Sequence, residues 1–105
     1  MRIAEIHVTF PDAAVAAQVT KTIISERLAA CANSSVITSE YWWEGEVENQ
    51  TEVAVVFKTR RSLVEQVTAR LRELHPYEVP SIIGHDVSHV NDEYAQWVHD
   101  STTHG

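Results

Sequence analysis

Basic residues, turn formers and cysteine are all scarce in this chain. Eight Lys and Arg stand against fifteen Asp and Glu in 105 residues, a formal charge of −7. That surface repels phosphate backbones and argues against nucleic acid as a partner. It attracts divalent cations only diffusely, so net charge alone defines no site. The lone cysteine, Cys31, excludes a disulfide within the chain. With three Gly, three Pro and an ordinary apolar fraction, the composition does not suit a disordered chain. No apolar run is long enough to span a bilayer, and Arg2 and Glu5 interrupt the N-terminus before a signal-type apolar core can form. These absences predict a cytoplasmic protein without a membrane partner. The length suits one domain covering residues 1–105.

Within that length, hydrophobic periodicity changes several times. Residues 3–10 alternate, with Ala4, Ile6, Val8 and Phe10 on one side, which predicts a strand with one apolar face. Pro11 and Asp12 break it and suit the start of a helix. Val15, Val19 and Ile23, widened by Ala16, Ile24 and Leu28, predict a helix over residues 13–28. Residues 32–43 and 47–58 read as two long strands joined at Glu44-Gly45-Glu46. Leu63, Val67, Leu71 and Leu74 predict a second helix over 61–74, stopped by His75-Pro76. A short strand over 81–87 and a last helix over 92–100 follow, with residues 101–105 expected to fray. The order βαββαβ plus a C-terminal helix is an α+β, ferredoxin-like sandwich with both main helices on one face of an antiparallel sheet.

The hairpin has a consequence of its own. Strands of about twelve residues reach roughly 40 Å at 3.3 Å per residue. A globule of this size has a radius of gyration of about 13 Å. The tip, with Tyr41, Trp42 and Trp43, must therefore project past the helices, and neighbouring side chains there point to opposite faces. Bare aromatics on both faces are an aggregation hazard that a second copy of the chain would relieve. Trp42 and Trp43 are accordingly expected at a subunit interface rather than on a ligand.

Five blocks stand in order along the chain: Leu28-Ala29-Ala30-Cys31-Ala32-Asn33, Tyr41-Trp42-Trp43-Glu44-Gly45, Lys58-Thr59-Arg60, His75-Pro76-Tyr77-Glu78-Val79-Pro80, and Tyr94 with Trp97. Together they resemble the CutA family of divalent-cation-tolerance proteins. The resemblance implies a ferredoxin-like homotrimer, similar to the PII signalling proteins, whose subunits pair through their hairpins. It also implies a link to copper and other divalent cations, and no catalytic activity. The sequence departs from the family pattern at Ser81, at Gly84-His85 and at Val90.

The metal candidates are Cys31, His75 and Glu78, from one chain or shared between neighbours. Thiolate is a soft ligand that suits copper and zinc, although free cysteine is most often a small buried hydrophobe. His75 could instead serve the carbonyl end of the second helix. His85 and His89 bracket a strand end, and His99 and His104 are expected to be solvated. Tyr41, Lys58 and Tyr77 are candidates for lining a cleft. Lys58 could take an anion there, which gives an alternative reading: a PII-like module binding a small anionic ligand between subunits. No nucleophile elbow, phosphate loop or zincin motif is present. A Cys31–His75 nucleophile pair would require the fold to bring the two together.

Overall fold

A computed structural model describes residues 1–104. Strand β1 (Ile3–Phe10) leads into helix α1 (Ala13–Ser25), then β2 (Cys31–Trp43) and β3 (Glu46–Arg60). A single 3₁₀ turn (Arg61–Leu63) precedes α2 (Val64–Leu74), followed by β4 (Ile82–Asp86) and α3 (Asp92–Ser101). The described residues form an antiparallel sheet in the order β2-β3-β1-β4, the ferredoxin-like arrangement. The alternation of β1 decides the layering. Ile6, Val8 and Phe10 meet Val53, Val55 and Phe57 of β3 and the apolar stripes of α1 and α2 in one core. Phe10 and Phe57 are fully buried there, each worth roughly 1.5 to 3 kcal/mol relative to exposure.

Asp12 caps α1 by accepting the Val15 N–H at 2.9 Å. The helix is shorter than its sequence stripe predicts. It ends at Ser25 because the Leu28 N–H bonds the Ile23 carbonyl and the Arg27 N–H bonds the Ile24 carbonyl. This is a Schellman closure with Arg27 at φ +59°, where glycine is the usual residue. The turn lets Leu28 and Ala29 enter the core as loop residues rather than helical ones. At the end of α2, His75 adopts the extended backbone that a residue before proline prefers.

The third helix lies on the other face of the sheet. Ala95 and Val98 of α3 bury Ile3, which has the opposite parity to Ile6 on β1. Val90, a departure from the family pattern, packs into this second cluster. Residues 101–104 are not frayed, contrary to the sequence expectation. The Arg60 guanidinium donates to Thr102 Oγ1 at 2.9 Å and to the His99 carbonyl, placing a cation at the negative end of α3. Arg60 also meets His104 Nδ1 at 3.3 Å, His99 Nε2 meets the Arg2 carbonyl at 3.2 Å, and the Thr103 N–H reaches the Arg27 carbonyl. These two histidines are thus bonded rather than merely solvated. Gly105, the end of the expected frayed tail, lies outside the described residues.

The positive φ at Arg27 gives a direct test. Arg27→Gly and Arg27→Ala both remove the side chain's bond to the Ser101 carbonyl, but only glycine relaxes the backbone. Thermal unfolding is expected to show the glycine variant more stable than the alanine variant by about 1 kcal/mol. Equal stabilities would mean that the turn carries no strain.

Candidate functional site

The polar residues fall into two separate regions, the first on the face that α1 and α2 leave uncovered and the second around the end of β1. The first is a row across all four strands. Cys31 stands opposite Lys58, Lys58 opposite Glu5, and Glu5 opposite His85. His7 joins it, with Nε2 3.2 Å from Glu5 Oε1 and its ring edge-on to His85 at 5.0 Å. The Cys31 thiol lies 3.7 Å from Asn33 Oδ1. Tyr94 of α3 covers one end of the row, its ring centroid 5.8 Å from Lys58 Nζ. Burial first, then a hydrogen bond and charge interaction with Cys31 and the charge of Glu5, push the Tyr94 hydroxyl up to about 12.

The second region lies at the other end of β1. His75 is 8% exposed and stacks on Phe10, with centroids 4.8 Å apart. Its Nδ1 accepts the Tyr77 N–H at 3.1 Å, and Nε2 lies 2.7 Å from the Thr9 carbonyl. With Nδ1 accepting, Nε2 carries the proton and donates to that carbonyl. Both ring nitrogens are engaged, so His75 ties the segment after α2 to the end of β1.

Beyond that segment a cleft of about 890 Å³ opens against the projecting hairpin. Its carboxylates are Glu40, Glu48, Glu52 and Glu78; no Lys, Arg or His lines it. Its aromatic walls are Tyr41, Trp42, Trp43 and Tyr77. Tyr77 donates its hydroxyl to Glu52 Oε2 at 2.7 Å, and Tyr41 donates to Gln50 Oε1 at 2.9 Å. Burial, the bond to Glu52 and its charge push the Tyr77 hydroxyl far above the ordinary phenol range. Burial, with the charges of Glu52 and Glu48, raises that of Tyr41.

The structure brings Tyr41, Tyr77 and Glu78 together in this cleft with Trp42 and Trp43, but not Lys58, which stands in the other region beside Cys31. Nor does it bring Cys31 to His75 or Glu78 within one chain. Cys31 is opposite Lys58, whereas His75 bonds Thr9, which is opposite Ala54. Four strand residues separate those positions, about 13 Å. Among the described residues, no three His, Cys, Asp or Glu side chains are grouped so as to hold a metal ion. The same separation leaves a Cys31–His75 nucleophile pair unassembled within a chain.

Sequence reasoning missed Glu52 and the association of Glu5, His7 and Tyr94 with Cys31. Strand parity held the signal for the first three, since Glu5, His7 and Glu52 occupy positions facing away from α1 and α2. The placement of Tyr94 depended on α3 crossing to that face. The departures from the family pattern take defined places in the fold. Ser81 lines the cleft. A Cβ at Gly84 would meet Val64 Cγ1 at 3.4 Å, an ordinary van der Waals contact with α2.

Comparison with known proteins agrees with this geometry. The family model described as CutA1 divalent ion tolerance protein matches residues 4–101. The chain is similar to the divalent-cation tolerance protein CutA of Pyrococcus horikoshii, with 46% identity over 97 residues spanning 92% of this chain and 95% of that protein. It is 38% identical over 98 residues to the chloroplastic protein CutA 1 of Oryza sativa subsp. japonica, covering 92% of this chain and 55% of the relative. The crystal structure of CutA1 from Pyrococcus horikoshii superposes with a TM-score of 0.93 at 44% identity, covering 95% of this chain and 98% of that one.

The chain's three tyrosines are all shifted upward. A raised folded pKa contributes stability that is complete below the unfolded value and lost as pH rises through the folded one. For Tyr94 that window runs from 10.0 to about 12. Spectrophotometric titration should find native tyrosinate absorbance at pH 10 well below half that of the denatured chain, with stability falling across the window. A native midpoint at the unfolded value would contradict the environments described.

Proposed function

Because this chain belongs to the CutA1 divalent ion tolerance family, we propose that it is a cytoplasmic homotrimer that binds copper or other divalent metal ions in a response to metal, and is not an enzyme. The observation that carries the assembly is the hairpin. Trp42 is 75% exposed, and Val36 and Val47 are exposed on the same side of the ladder. The outer edge of β2 has no partner strand among the described residues. Pairing with a second chain would cover both the edge and the rings. As for location, no helix among the described residues is long and apolar enough to cross a membrane.

Cys31 is the proposed anchor for the metal. It is a half-buried free thiol on the uncovered sheet face, and thiolate favours soft ions. One chain offers too few grouped ligands, so further donors would come from a neighbouring subunit: Glu78 is exposed, whereas His75 would first have to give up its bonds to Thr9 and Tyr77. A single soft ligand per chain selects poorly, and zinc and cadmium would compete with copper. A second reading, a PII-like binding module, is favoured by the presence of the cleft. An anion would have to bind on surfaces completed by a neighbour, since the chain's own cleft presents carboxylates without a basic side chain.

Calorimetric titration of copper into wild type and Cys31→Ser tests the metal reading. Wild type should bind with weak to moderate affinity, the serine variant at least tenfold more weakly. Binding should also weaken as pH falls, because the thiol must release its proton to coordinate. Equal affinity in both proteins would remove Cys31 from the site, and no binding in either would favour the binding-module reading.

A further inference from the structure

The end of the sheet farthest from the hairpin tip holds a polar contact that neither the metal reading nor the assembly uses. Arg60, the last residue of β3, is only 8% exposed. Its Nε donates to Thr102 Oγ1 at 2.9 Å, and Nη2 donates to the carbonyls of His99 and Thr102. Those oxygens accept at any pH. Nη1 differs, because its partner at 3.3 Å is His104 Nδ1. A guanidinium can only donate, so Nδ1 must be a bare acceptor and the His104 ring must be neutral. A second proton on that ring would set two donors of like charge against each other.

The surroundings offer an imidazolium little relief. From the turn after α1, the Arg27 guanidinium donates to the Ser101 carbonyl. From the residue before β1, the Arg2 carbonyl meets His99 Nε2 at 3.2 Å, and His99 is itself a cation in acid. On α3, Asp100 accepts from Gln96. Thr103 shares a groove of about 400 Å³ with Glu26, Leu28, Arg70 and Glu73. Both of those carboxylates pair with Arg70, at 2.8 Å and 3.6 Å.

We propose that Thr103 and His104 form an acid-released strap anchored at Thr102, closed while His104 is neutral and freed from Arg60 when that ring takes up a second proton. Closing the strap and protonating Nδ1 exclude each other, so the closed fraction falls as pH drops through the imidazole range. Thr102 stays in place, since it is buried and its hydroxyl also donates to the Val98 carbonyl at 2.8 Å. Once His104 leaves, Thr103 keeps one backbone bond, from its N–H to the Arg27 carbonyl at 2.9 Å. One such bond does not offset the entropy of two freed residues. Release widens the groove beside Leu28, which is buried in the closed form. The strap is built from one chain at the end away from the hairpin, so it does not depend on Cys31 or on what covers the hairpin.

Amide hydrogen exchange, read by NMR on the whole chain in the assembly it adopts and corrected for intrinsic rates, tests the strap at about pH 8 and about pH 5.5. In wild type, protection of the Thr103 N–H should fall roughly fivefold on acidification. The Leu28 N–H, bonded to the Ile23 carbonyl, should keep its protection and so report that the fold is intact. His104→Gln supplies an acceptor that does not titrate, and its Thr103 protection should be the same at both pH values. His99→Gln should retain the wild-type step, because His99 Nε2 can donate to the Arg2 carbonyl whether or not its ring is charged. Unchanged Thr103 protection in wild type would overturn the proposal, as would an equal fall in His104→Gln. A step that survives His104→Gln and vanishes in His99→Gln would also overturn it, by moving the switch to His99.

Discussion

The mismatch in length between two strand ladders governs this molecule. β2 and β3 pair through thirteen residues, whereas β1 pairs with β3 through only eight. The β1 ladder stops at Phe10 opposite Val53, and residues 46–52 of β3 continue without a third strand. At strand rise that overrun is about 23 Å, which agrees with a molecule 44 Å in its longest dimension. An isolated two-stranded ribbon is marginal in water. The overrun therefore calls for an external partner, and the same arm makes one wall of the cleft.

The supported part of the sheet divides the chemistry into two regions. At one end Arg60, α3 and Ile3 close the second core, and the Cys31–Lys58–Glu5–His85 row lies beside it. At the other end His75 joins α2 to β1, and Glu52 faces the cleft with Tyr77. About 13 Å of strand keeps the regions apart, so a thiol ligand and the His75 segment cannot serve one ion inside a chain. A metal centre using both would have to cross between subunits.

Much of the architecture was legible in the sequence because its signals were local and periodic. The alternation of residues 3–10, the stripes of both main helices and the pre-proline stop at His75 each fixed an element. The errors arose where a tertiary contact overrode a local pattern. Leu28 continued the apolar stripe of α1, but the Schellman closure at Arg27 delivers it to the core from a loop. The last residues looked polar and loose, yet the buried guanidinium of Arg60 gathers them, and nothing in the local sequence links Arg60 to Thr102. The site was less legible than the fold. Tyr41, Tyr77 and Glu78 do share a cleft. Lys58 does not, because register places it beside Cys31, and register follows from strand pairing rather than from composition. Glu52 escaped notice because a buried acid in a strand is visible only once its neighbours are known.

Sedimentation equilibrium at micromolar concentration tests the central claim that another copy of the chain supports the overrunning hairpin. The account predicts a trimer for the wild type and weakened assembly for Trp43→Asp, which would place a charge among desolvated rings. A monomeric wild type, or a variant trimer of unchanged stability, would contradict it.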